Sequence, residues 1–260
     1  MASHSPLKDN PLHNPGQSLE HQIYNLIVDK LFAPLLMLLV FGLFASFEWW
    51  TYYHPIIQKP VLSTVIFVLA VIYALWAFLR FKSKFVQLLL GLKGEKVVGQ
   101  NLERLREQHY EVFHDLIGKG FNVDHVIIGP AGIFTVETKT YRKHHSDDKV
   151  VFDGEFLLVN GKEPDRNPVI QARAQACWLR SILAESTGHK YDVRPVIVFP
   201  GWWVEQRPGS TRKMWVLEPK ALPSFLSHEP EVLPIDEIKL VSFHLSQFIR
   251  SQVMTGVMAL

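Results

Sequence analysis

Two stretches of the chain carry no charged residue: 31–47, bounded by Lys30 and Glu48, and 61–79, bounded by Lys59 and Arg80. A helix crossing ~30 Å of hydrocarbon needs about 20 apolar residues. The second stretch meets that length, and the first does so once Trp49, Trp50, Tyr52 and Tyr53 are counted as interfacial aromatics. Both are apolar on every face, unlike the helices of a soluble core, which predicts a transmembrane hairpin over 31–82 with spans at roughly 31–50 and 60–80. A cleaved signal peptide is disfavoured, because the first run starts about 30 residues in, without a basic leader close before it, and a second span follows. Ahead of the hairpin, 1–16 reads as a disordered leader with Pro6, Pro11, Pro15 and Gly16, and Ser18 opens a short amphipathic helix, so 1–30 lies outside the folded domain.

Beyond the second span the pattern changes to that of a water-soluble domain over 91–254. Val97, Val98, Leu102 and Leu105 recur at helical spacing from Gly94 to about Gln108. Strand-like runs follow at Glu111–Ile117, Asn122–Ile128 and Ile133–Thr140, the last two separated by the turn Gly129-Pro130-Ala131-Gly132. A hairpin is expected around Gly154-Glu155, a helix from Pro168 to about Ser186, strands at Val193–Phe199 and Met214–Leu217, and an amphipathic helix from Ile235 to Gln252. This order predicts an α/β fold, a mixed central sheet flanked by helices.

The strand Ile133–Thr140 carries the chemistry. Alternation puts Glu137 and Lys139 on one face and Phe134 and Val136 on the other, facing the expected core. A symmetric hairpin across Gly129–Gly132 pairs residues whose numbers sum to 261, so Ile128 meets Ile133 and Asp124 meets Glu137. Opposed like charges on a sheet destabilise it. A divalent cation, Mg²⁺ or Mn²⁺, held by Asp124 and Glu137 would compensate, with Lys139 beside it to orient a water or stabilise a phosphate. The alternative is a surface strand whose Glu and Lys are merely solvated, with Asp124 capping a turn.

Gly94-Glu95, Val123-Asp124-His125, Gly132-Ile133-Phe134-Thr135-Val136-Glu137-Thr138-Lys139, and Asn167-Pro168 with Gln171 together resemble the nuclease-related domain (NERD) family. That family looks like a branch of the PD-(D/E)xK nucleases, and the resemblance covers about 91–199. It implies a PD-(D/E)xK-like sheet, Asp124 and Glu137 as metal ligands, and Lys139 as the catalytic lysine. It further implies Glu95 assisting the metal from the first helix and Gln171 lining the site. The segment Thr140-Tyr141-Arg142-Lys143-His144-His145 departs from the Asn-aromatic, glycine-bearing continuation common in the family, which bears on the substrate-facing loop.

From Gly91 onward Lys+Arg and Asp+Glu balance at 21 each, so a nucleic-acid partner must rest on local clusters. Arg142, Lys143, His144, His145 and Lys149 form one such cluster, a candidate phosphate clamp diluted by Asp147 and Asp148. His144-His145 lacks a third ligand at suitable spacing for a metal. Trp202, Trp203 and Trp215 are candidates for base stacking, core packing or membrane contact, and Arg173 and Arg180 for phosphate contact or solvation. The single cysteine, Cys177, sits among apolar neighbours and is expected to be buried filler in a reducing compartment. Lys59 is the lone cation between the spans, whereas Arg80, Lys82, Lys84, Lys93 and Lys96 follow them, which predicts cytoplasmic termini. The expectation is an integral protein of the bacterial inner membrane whose domain hydrolyses nucleic-acid phosphodiesters, DNA before RNA. The alternatives are a tethered module that binds nucleic acid or protein without cleaving, and a scaffold whose working part is the hairpin.

Overall fold

A computed structural model describes residues 12–54, 60–118, 120–143, 145–207 and 213–254. The chain divides into two units, Ser18–Leu92 and a second comprising Met1–Gln17 and Lys93–Leu260.

The first unit is helical. Helix α1 (Gln17–Ile27) passes through a π-helical turn (Val28–Phe32) into α2 (Ala33–Tyr53), and α3 (Pro60–Glu103) returns alongside. Each arm holds a window of mean hydropathy 2.2, long and apolar enough to cross a membrane by length and composition. Trp49 Nε1 donates to Thr64 Oγ1 at 3.2 Å, and the Phe67 ring lies over Gly42, so the arms meet side by side. The sequence pattern places a new helix at Gly94, yet α3 runs unbroken from Pro60. No proline interrupts 81–93, and the lone Gly91 costs only ~1 kcal/mol in a helix.

The second unit is built on a five-stranded mixed sheet. Strands β1 (Glu111–Ile117), β2 (Asn122–Gly129) and β3 (Gly132–Thr138) form an antiparallel meander, followed in parallel by β6 (Val193–Val198) and β8 (Trp215–Leu217). A smaller sheet holds β4 (Lys149–Phe152) between β5 (Leu157–Val159) and β7 (Trp203–Gln206). One face of the large sheet packs Val126, Ile128 and Ile133 against α4 (Pro168–Thr187) and α6 (Ile235–Met254). The other packs Ile127, Phe134 and Val136 against Val98 and Leu102 of α3 and against α5 (Leu222–Ser227). Both faces are therefore core. Helices flank the sheet as expected, and burial on both faces explains why β2 and β3 read as nearly continuous apolar runs.

Local chemistry sets the α4 start beside β3. Asn167 caps it, its Oδ1 accepting from Val169 N and Ile170 N, and Pro168 occupies the first turn, where its missing N–H costs nothing. Strand β7 and helix α5 are absent from the sequence reading, being four and six residues long and too short for a period to show. The leader also differs where it is described: His13 is buried, its Nδ1 2.7 Å from the Asp115 carbonyl oxygen, and Pro15 abuts Gly99. Residues 1–11 of the leader and the connection at 55–59, with Lys59, lie outside the described residues.

Candidate active site

The β2–β3 hairpin has the anticipated register, Gly129↔Gly132 through His125↔Val136, each pair summing to 261. The next pair in that register is Asp124 with Glu137. There the backbone ladder stops, and Asp124 Oδ2 instead accepts the Thr138 N–H at 2.7 Å. Both carboxylates are buried, on the face covered by α4.

Glu137 is held on both oxygens. Its Oε1 accepts from Lys139 Nζ at 2.6 Å and from Gln171 Nε2 at 2.7 Å, and its Oε2 accepts from Gln175 Nε2 at 2.5 Å. Lys139 also donates to Gln171 Oε1 at 2.9 Å, closing a ring of three side chains. Gln171 and Gln175 are one helical turn apart on α4, so a single helix face supplies both clamps. Gln175 is missing from the sequence reading, although its i+4 spacing from Gln171 signals it. It also donates to the Asn122 carbonyl, tying the clamp to β2.

Glu95 enters from α3. At Gly94 the helix backbone runs so close to the end of β3 that an added Cβ would lie 2.0 Å from Thr140 Cγ2. Only glycine permits that approach, and it seats the next residue near the acids. Glu95 is buried, its Oε2 has no hydrogen-bond partner, and its carboxyl is raised to about 8 by burial and then by repulsion from Asp115 and Glu137. Asp124 is likewise raised well above the usual carboxylate range by burial, with Glu137 and Glu95 adding repulsion; the Thr138 N–H and the Lys139 ammonium oppose the rise.

Asp115 is a further acid outside the sequence reading. It is fully buried in β1 with a left-handed backbone (φ 56°), accepts from the Asn122 side-chain amide, and stands level with Asp124 in the β1–β2 register. A non-glycine residue in that region costs energy and tends to be retained at functional sites.

A histidine pair supports the same strands from the opposite face. His114 Nε2 donates to Glu103 Oε1 at 2.8 Å, leaving Nδ1 bare to accept from His125 Nδ1–H at 2.9 Å. Burial lowers both imidazoles, so this neutral arrangement holds at physiological pH. His125 Nε2 then faces the Thr138 hydroxyl at 3.5 Å, on the residue whose N–H holds Asp124.

The remaining expected residues are dispersed. Lys143 Nζ lies 5.4 Å from the Trp202 ring centroid, Arg142 is exposed, and Lys149 pairs with Glu205 at 2.8 Å on the smaller sheet. His144 lies outside the described residues. Trp202 and Trp215 are buried and cannot stack on bases, whereas Trp203 is exposed. Arg173 donates to the Gly154 carbonyl, and Arg180 is exposed. Cys177 is exposed, against the expectation of burial, because it faces away from the α4 stripe of Ala176, Leu179 and Leu183.

Residues 90–200 match the family model of the nuclease-related domain, NERD. The match takes in every residue of the acid–lysine cluster, from Glu95 to Gln175, and the strands and helix that position it. Neither the curated proteins nor the solved structures returned a match to the chain. The nuclease-related domain thus supplies a nuclease-related reading for the cluster that the geometry alone leaves as buried acids around one lysine.

The donor chemistry fits a hard divalent cation. Asp124, Glu137 and Glu95 are all oxygen donors, Glu137 repels both of the other two, and one buried oxygen, Glu95 Oε2, lacks a partner. Among the described residues no three acidic, histidine or cysteine side chains are already set as a metal cage. Mg²⁺ does not require one, since it commonly keeps several waters and takes one or two carboxylates.

Proposed function

We propose that the domain is a metal-dependent phosphodiesterase of PD-(D/E)xK type, acting on DNA in preference to RNA, and anchored by the helical hairpin at the cytoplasmic face of a membrane. The observation that carries this reading is the Lys139 ammonium bound to Glu137 beside two further buried carboxylates, within a stretch matching the nuclease-related domain. Asp124 and Glu137 would hold Mg²⁺ or Mn²⁺, with Glu95 assisting. Such a cation polarises a phosphoryl oxygen and lowers the pKa of a coordinated water.

The chain's own groups do the rest. Lys139, held by Glu137 and Gln171, presents a fixed positive charge to a phosphate oxygen and orients the incoming water. Gln171 and Gln175 keep the Glu137 carboxylate in one rotamer, and Thr138 N–H does the same for Asp124. The hairpin sets location: its apolar arms support bilayer insertion, and the cations after Leu79 favour a cytoplasmic domain.

Full-length protein in neutral detergent micelles, incubated with Mg²⁺ or Mn²⁺, is expected to nick supercoiled plasmid and to degrade RNA more slowly. Lys139→Ala and Glu137→Gln should each abolish cleavage. Cleavage surviving both substitutions would overturn the assignment. Salt-sensitive DNA binding without cleavage by the wild type would replace it with a recognition module.

A further inference from the structure

The basic end of the hairpin holds a cavity that the nuclease reading does not use. Its volume is about 360 Å³, within the range of small-molecule sites. Lys30 lines it from the first arm, and Arg80 and Lys84 from α3, with Asp29 as the single acid, so it carries a net formal charge of about +2. Its walls are apolar and aromatic, including Met37, Tyr73 and Trp76. The Arg80 guanidinium lies 4.6 Å from the Trp76 ring centroid, a cation–π contact that orients it along the wall.

Two features point to the occupant. Lys30 and Arg80 close the uncharged stretches 31–47 and 61–79 at the same end, which is where a bilayer's hydrocarbon gives way to its headgroups. Lys30 also borders a second, narrower slot of about 190 Å³ that descends between the arms past Leu35, Leu38 and Val71. A ligand with an anionic head and hydrocarbon tails matches this layout, whereas a free phosphate would meet only the charged end. The chain is locally π-helical over Val28–Phe32, the turn that contributes Asp29 and Lys30, and such turns often mark functional positions.

We propose that Lys30, Arg80 and Lys84 form a binding site for an anionic phospholipid. The site rests on the hairpin lying in a bilayer and is independent of any nuclease activity. Basic pockets between membrane helices take such headgroups, and each cation near the surface contributes about fivefold in affinity.

The test uses full-length protein in neutral detergent, titrated separately with phosphatidylglycerol, phosphatidylcholine and inorganic phosphate, with bound lipid counted by native mass spectrometry. Phosphatidylglycerol should bind at least tenfold more tightly than phosphatidylcholine, and phosphate should not displace it. The pair Lys30→Ala, Arg80→Ala should weaken phosphatidylglycerol binding by about 25-fold. Lys30→Arg with Arg80→Lys, which keeps both charges, should retain the preference, and Lys82→Ala, off the cavity, should leave it unchanged. Equal binding of the two lipids, a preference surviving the alanine pair, or displacement by phosphate would overturn the lipid site. Recovery of the chain as a soluble protein without detergent would instead remove the bilayer premise, a result distinct from loss of lipid preference.

Discussion

Replacing Glu95 by glutamine removes one of the buried, mutually repelling acids while preserving its shape. In the folded chain this carboxyl is raised from 4.5 to about 8 by burial, Asp115 and Glu137. The folded state therefore keeps a proton that the unfolded chain releases, and stability falls as pH rises. The contribution is intact below about pH 4.5, declines between there and pH 8, and is lost above it. At 1.36 kcal/mol per unit, the wild type should lose on the order of 3 kcal/mol between pH 4.5 and 7, and about 1 kcal/mol more by pH 9. Glu95→Gln lacks this term, so its stability relative to wild type should climb across the same interval. Urea unfolding of the full-length protein in detergent, followed by the fluorescence of buried Trp215, reads the difference between the two at each pH. Millimolar Mg²⁺ should recover much of the wild-type loss at pH 8 and little in the variant. A wild-type-minus-variant difference that stays flat from pH 5 to 9 would refute the reasoning.

Three further substitutions probe the neighbouring structure. Gln175→Ala removes the charge-assisted bond to Glu137 Oε2 and the bond to the Asn122 carbonyl, and should cost about 2–4 kcal/mol in urea unfolding. Gly94→Ala forces a methyl against Thr140, and should destabilise the domain by about 1–3 kcal/mol and slow cleavage by shifting Glu95, as measured by unfolding and single-turnover nicking. Lys149→Ala breaks a solvent-exposed ion pair with Glu205, and should leave the midpoint of the same unfolding curve unchanged.

The central feature was legible in the sequence because it depends on period and register. The run Ile133–Thr140 and the turn at Gly129–Gly132 fix which residues face each other, and no other turn length would put Asp124 level with Glu137. The Asn167-Pro168 start of α4 was legible for a related reason, since capping chemistry is local. Less local features were not. The Asp115 position depends on a left-handed backbone that a buried aspartate gives no sign of adopting. The His114–His125 pair is made by strand pairing, and its link to Glu103 by the last residue of α3 reaching β1, a tertiary contact without a sequence period. The basic segment around Arg142 reads as one cluster along the chain, but Lys149 enters a different sheet from Lys139, so sequence proximity overstated its unity.

The proposed cation site at Asp124 and Glu137 is tested most directly by paramagnetic resonance of Mn²⁺ titrated into full-length protein. One ion per chain should bind to the wild type, and Asp124→Asn combined with Glu137→Gln should leave all the manganese free. Manganese that remains in solution beside the wild type, or binds the doubly substituted chain just as well, would contradict the account.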